Sequence, residues 1–168
     1  VQTFEDFLAA RLEWLARFSR TLCGDRHLAE DVLQEVLLRA HRQWDRIGAA
    51  DSPNAYVRTM IVHEYLAWRR KWGRQTPVAE VIAVDSTGDP SDTHATRDEL
   101  IALMRTLPRQ QRAAVVLRYY SDLDDHAIAT ILGCTPGTVR GYLSRALATL
   151  RVELTDRAPT PAEKGSIP

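Results

Sequence analysis

The chain has 168 residues, with 22 basic and 22 acidic side chains, and 45% of its residues are hydrophobic. That length and apolar content fit one or two small domains and argue against wholesale disorder. No apolar run approaches the ~18–20 residues that span a bilayer. The first twenty residues carry Glu5, Asp6, Arg11, Glu13 and Arg17, unlike a signal peptide. Cys23 and Cys134 are far apart and form no Cys-x-x-Cys unit, against a disulfide framework or structural zinc. A soluble, cytoplasmic protein is expected.

Phe4, Phe7, Leu8, Leu12, Leu15 and Phe18 recur close to a 3.6-residue period and predict a helix over 4–22. A second helix, over 28–47, places Leu28, Val32, Val36, Ala40 and Trp44 on one stripe. Asp31, Gln34, Glu35, Leu38 and Arg42 project from its opposite side. An acid-rich face with a single exposed leucine suits a basic partner; the plainer reading is that Leu38 widens the core stripe. Gly48 to Pro53 breaks the pattern, with Ser52 placed to cap and Pro53 to begin a third helix. That helix runs to Trp72, with Val57, Met60, Ile61 and Tyr65 as its core residues.

The third helix ends in Trp68-Arg-Arg-Lys-Trp72-Gly-Arg74. Aromatic rings interleaved with cations can follow a single-stranded backbone and stack on unpaired bases, at ~1–3 kcal/mol per base. The competing reading has the tryptophans completing the core while the arginines are solvated. His63-Glu64 is half of a zinc-protease motif, but Ala67 stands where the second histidine belongs.

From Gly73 to about Ser91 periodicity fails around Pro77, Gly88 and Pro90, which predicts a linker with a short extended piece at 81–84. Helical patterning resumes over 96–106, then over 109–120 after Pro108, then in two more helices to about Leu154. The expected fold is all-α: two small helical domains, 1–74 and 98–154, joined by a flexible acidic linker, 75–97, with a disordered tail, 155–168. Charge follows the same division. Residues 54–75 carry five basic against one acidic side chain, 76–108 two against six, and 109–151 six against three. Such local fields, rather than the zero total, decide where a polyanion docks.

Residues 124–143 fit a DNA-binding helix-turn-helix. Asp124 can cap the first helix, Ala129 is small where two helices cross, and Gly133 supplies the positive φ of the turn. Thr135 can cap the second helix, with Pro136 at its first position. Ile128, Ile131, Leu132, Val139 and Leu143 would bury the inner face. Thr138, Arg140, Gly141, Ser144 and Arg145 would then face outward from a helix whose N-terminus favours a phosphate-lined groove. Arginine bonds guanine bidentately, and serine or threonine bonds bases or phosphate. The bland alternative is a plain αα-hairpin with a glycine turn.

Three stretches together resemble the extracytoplasmic-function group of bacterial RNA polymerase sigma factors, in an actinobacterial-type subset. They are Ala29-Glu-Asp-Val-Leu-Gln-Glu-Val-Leu-Leu-Arg-Ala40, Ala55-Tyr-Val-Arg-Thr-Met-Ile-Val-His63 continuing to Trp68-Arg-Arg70, and Leu107-Pro-Arg-Gln-Gln-Arg-Ala-Ala-Val-Val-Leu-Arg-Tyr119 running through Arg151. The resemblance covers about residues 4–152. It implies that Asp31, Gln34, Glu35 and Leu38 contact the β′ clamp helices of core RNA polymerase. It implies that Asn54, Arg58, His63, Trp68, Arg69 and Arg70 recognise the −10 element as single strand. Thr138, Arg140, Ser144 and Arg145 would read the −35 element as duplex, residues 98–151 would bind the β flap, and the linker would thread into the polymerase. An anti-sigma factor is a further partner the resemblance allows. Two departures stand out: His63 occupies a position often held by asparagine, and Ala127 replaces a frequent glutamate.

No nucleophile–base pair, phosphate-cradling glycine loop or complete metal site is recognisable, so the chain is expected to be no enzyme and to need no cofactor, metal or small-molecule substrate. The second functional reading is a helix-turn-helix regulator that binds duplex DNA as a dimer without joining the polymerase.

Overall fold

A computed structural model describes residues 2–72 and 92–157 of the chain. Among these residues the regular elements are all helical: α1 (Phe4–Cys23), α2 (Arg26–Arg42), α3 (Trp44–Ile47), α4 (Pro53–Trp72), α5 (Asp92–Met104), α6 (Arg109–Tyr119), α7 (Asp125–Leu132) and α8 (Pro136–Arg157).

The first helix is fixed by a reciprocal cap. Asp6 N donates to the Thr3 hydroxyl at 3.1 Å, and Thr3 N donates to the Asp6 carboxylate at 3.4 Å. Gly24, at φ 70°, ends α1, and Asp25 at once caps α2 by accepting from Leu28 N at 2.8 Å. Phe7, Leu15, Phe18 and Leu22 of α1 are buried with Val32, Val36 and Ala40 of α2 and Val57, Ile61, Val62 and Tyr65 of α4. Leu12, expected in this stripe, is instead 45% exposed, because it lies past Leu8 at the stripe's edge. Met60, expected in the core, is half-buried against it.

The second helix is shorter than the sequence pattern suggests. It stops at Arg42, and a separate turn, α3, begins after Gln43. The cause is tertiary: the Trp44 indole packs on the rings of Phe4 and Phe7 and donates to the Gln2 carbonyl at 2.9 Å. A continuous helix would aim that ring elsewhere. The expected Ser52 cap is present, accepting from Ala55 N at 3.2 Å.

In the second half α5 begins at Asp92, not Thr96, so the last residues of the expected linker are helical. Residues 73–91, with the expected extended piece at 81–84, lie outside the described residues. At the other end α8 continues past Leu154 to Arg157, so the expected tail is helical at its start; 158–168 also lie outside the described residues. Helix α6 is central: Ala113 through Leu117 are all buried, and it packs against α1, α4, α7 and α8. Five consecutive buried residues cover every side of a helix, so this stretch of α6 needs such enclosure.

The two halves meet across one continuous apolar cluster reaching from Phe7 to Ala146. Tyr120 of the second half closes on the rings of Trp14 and Phe18, with centroids 5.8 and 6.0 Å apart. Arg112, 8% exposed, reaches across to the Cys23 carbonyl at 2.9 Å and also bonds the carbonyls of Arg105 and Leu107.

Candidate nucleic-acid and partner interfaces

The helix-turn-helix is built from the caps its sequence requires. Asp124 accepts from Ala127 N at 2.8 Å and starts α7. Gly133, at φ 65°, ends it; open space surrounds the position of a Cβ there, so backbone conformation alone calls for glycine. Thr135 accepts from Thr138 N at 3.1 Å and shares a hydrogen bond with the Thr138 hydroxyl at 2.9 Å, starting α8. Ile128, Ala129, Val139 and Ala146 are buried between the helices, while Ile131, Leu132 and Leu143 are half-buried.

On the outer face of α8, Ser144 and Arg145 are exposed and Thr138 is half-buried. Arg140 and Ser144, one turn apart, share a line along the helix. The Arg145 guanidinium sits 5.7 Å from the Tyr142 ring centroid and beside Gly141. The side chain of Arg140 is 66% exposed, and its Nη1 donates to Asp125 Oδ2 at 3.2 Å; Arg118 bonds the other oxygen of that carboxylate. Sequence reasoning did not single out Asp125, which the structure places against Arg140. The available signal was an acid in the first turn of α7, the third of Asp122-Leu-Asp-Asp125, between the arginines at 118 and 140.

On α4 the expected single-strand face is only partly open. His63 is exposed, but its Nε2 donates to the Ile131 carbonyl of α7 at 2.7 Å. Trp68 is half-buried against the core, under the Arg109 guanidinium at 5.9 Å from its ring. Arg109 also lies over the Tyr65 ring at 4.5 Å and donates to the Tyr65 carbonyl at 2.7 Å. Asn54 and Arg58 are half-buried, and burial lowers the Arg58 guanidinium from its ordinary value. Arg69 and Arg70 fall on the last turns of α4, and their side chains lie outside the described residues. Glu64 is buried and paired with Arg39, tying α4 to α2.

On α2, Asp31, Gln34, Glu35 and Leu38 are all exposed, Leu38 at 50%. Gln34 and Leu38 line an open, mostly apolar groove of about 630 Å³ with Leu33, Leu37, Phe4 and Leu8. Asp31 and Glu35 stand outside it, Glu35 paired with Arg39 at 3.4 Å. Phe4 and Leu8 are additions the sequence reading placed only in the core. Burial pushes the Cys23 thiol up to about 12, which marks it as inert packing. Among the described residues no three His, Cys, Asp or Glu side chains are grouped to hold a metal ion, and no helix is long and apolar enough to cross a membrane.

A helical unit carrying an acid-flanked apolar groove packs on a second unit carrying a helix-turn-helix, the motif of DNA-binding transcription proteins. Sigma-70 region 2 matches residues 7–75, and Sigma-70, region 4 matches residues 97–150. The RNA polymerase sigma-E factor of Streptomyces avermitilis is 34% identical over 157 residues, covering 94% of this chain and 88% of that one. The ECF RNA polymerase sigma factor SigL of Mycobacterium tuberculosis is 31% identical, covering 87% and 85%. Among solved structures, sigma factor RpoE of Bartonella quintana, in complex with the anti-sigma factor NepR, aligns with a TM-score of 0.71 at 25% identity, covering 93% of this chain and 98% of that one. CnrH, in complex with the cytosolic domain of CnrY, shares the fold at a TM-score of 0.61 and 18% identity, covering 92% and 89%. The chain belongs to the sigma-70 family, in its extracytoplasmic-function group.

Proposed function

We propose that three faces of this chain divide the work of promoter-specific initiation. The α2 face, with Asp31, Gln34, Glu35 and Leu38 beside the apolar groove, docks core RNA polymerase through the β′ clamp helices. Helix α4, with Asn54, Arg58, His63, Trp68, Arg69 and Arg70, recognises the −10 element as it opens. Helix α8, with Thr138, Arg140, Ser144 and Arg145, reads the −35 element as duplex, while the second unit meets the β flap. Opening DNA costs ~1.4 kcal/mol per stacked step, and capture of unpaired bases offsets part of that.

The observation that carries this reading is the presence of both sigma-70 regions in order along the chain, the second coinciding with a correctly capped helix-turn-helix. The reading includes no catalysis by the chain itself and a cytoplasmic site of action, beside the polymerase. The reading includes an anti-sigma factor as regulatory partner, because the RpoE structure that matches along most of the chain is a complex with the anti-sigma factor NepR. The bond from His63 to Ile131 and the cover of Arg109 over Trp68 mean that α4 must part from α6 and α7 before it can hold single-stranded DNA.

Size exclusion of the purified chain with core RNA polymerase tests the reading. A stable 1:1 complex is expected. Failure to co-migrate, with tight duplex binding by the chain alone as a dimer, would replace it with the free-standing regulator.

A further inference from the structure

Arg140 is the most exposed cation of the helix-turn-helix that is also ion-paired, and its partner is well anchored. Side-chain exposure falls from 66% at Arg140 to 23% at Asp125 and 28% at Arg118. The carboxylate is thus gripped on one oxygen by Arg118 of α6 and offers the other to Arg140 of α8. We propose that Asp125 is a positioning residue for −35 recognition: held by Arg118, it fixes the guanidinium plane of Arg140 for a base edge. This inference rests on the reading of α8 as the duplex-reading helix.

The physical basis is geometric and electrostatic. An arginine on an open helix face samples many rotamers, and bidentate bonding to guanine needs one plane. A bond at Nη1 selects that plane while leaving other N–H groups to donate. The same carboxylate also repels phosphate, so it weakens attachment to DNA that offers Arg140 no base partner. Removing its charge therefore acts in opposite directions: attraction to any duplex rises while preference for the right base falls. A simple packing defect has no such signature.

The test is transcription by the full chain with core RNA polymerase from a double-stranded promoter library randomised across the −35 region. Arg140→Ala marks the position that Arg140 reads, by losing base preference there. Asp125→Asn is expected to reduce preference at that same position by about three- to tenfold, to leave the other positions unchanged and to steepen the salt dependence of binding. In the Arg140→Ala background, Asp125→Asn should change preference no further. Asp125→Glu, which keeps the charge but shifts it by a methylene, carries the test if the asparagine variant melts early; a partial loss at the same position is expected. Wild-type preference in both Asp125 variants, alongside a loss in Arg140→Ala, overturns the positioning role and leaves α8 as the reader. Wild-type preference in Arg140→Ala overturns both. A uniform loss at every position makes Asp125 merely structural.

Discussion

Arg112 joins the two halves, and replacing it should loosen the whole molecule. Its guanidinium is 8% exposed and donates to three carbonyls: Cys23 at the end of α1, and Arg105 and Leu107 between α5 and α6. Arg112→Met keeps much of the volume and removes all three bonds. Hydrogen bonds to a charged group are worth ~1.5–3 kcal/mol each, so the gross loss is several kcal/mol. Against it stands relief from burying the charge, enlarged because Nε is buried with no hydrogen-bond partner. The expected net loss is about 2–4 kcal/mol. With a urea slope of ~1–3 kcal/mol/M for a small protein, the unfolding midpoint of the full chain should fall by roughly 1–2 M. If the halves separate first, the single transition splits in two. A midpoint within about 0.3 M of wild type, with unchanged slope, would refute the view that Arg112 pins the halves together.

Two glycines separate backbone strain from crowding. Both Gly24 and Gly133 have positive φ, so alanine at either pays ~1–2 kcal/mol for the left-handed conformation. At Gly24 the new methyl would also meet Arg105 Cγ at 2.6 Å and Arg112 Nη1 at 3.0 Å, whereas nothing lies within 4 Å at Gly133. Gly24→Ala should therefore lower Tm distinctly more than Gly133→Ala, and equal shifts would contradict the close approach. Leu38→Asp should weaken the complex with core polymerase at least about tenfold while leaving stability within ~0.5 kcal/mol, since the residue is half exposed; a titration with labelled core enzyme and a melting curve read the two effects. Alkaline pH should destabilise the fold. Burial holds the Cys23 thiol protonated up to about 12, against an ordinary value of 9.0. Between those values the unfolded chain has released a proton that the folded chain keeps, so stability declines as pH rises, at up to ~1.4 kcal/mol per unit. Tyr65, raised by burial, acts in the same direction. A urea midpoint that stays level from about pH 8 to about pH 10 would be inconsistent with the Cys23 thiol remaining protonated in the folded chain.

Local chemistry made much of the fold legible. Ser52, Asp124, Thr135 and Gly133 each act where their residue type suggested, because caps and turns depend on a few neighbouring atoms. The stripe of Val32, Val36 and Ala40 is buried as its period implied. What escaped the sequence reading is long-range. The break at Gln43 follows from a bond between Trp44 and Gln2, 42 residues apart. The joining of the halves rests on bonds such as Arg112 to Cys23, 89 residues apart, which no periodicity encodes. The early start of α5 was hidden because Asp92-Thr-His-Ala95 holds no large apolar side chain to mark a helical stripe. At the site, the exposed faces of α2 and α8 follow from helical spacing. The Asp125–Arg140 pair, on different helices, and the groove shared by α1 and α2 appear only once the helices pack.

Promoter-directed initiation is tested most directly by reconstituted transcription from a library of random upstream sequences, with core RNA polymerase in the presence and absence of this chain. Transcripts should begin downstream of two enriched elements, spaced as −35 and −10, only when the chain is present. Start sites no more selective with the chain than without it would contradict its role as a promoter-specificity subunit.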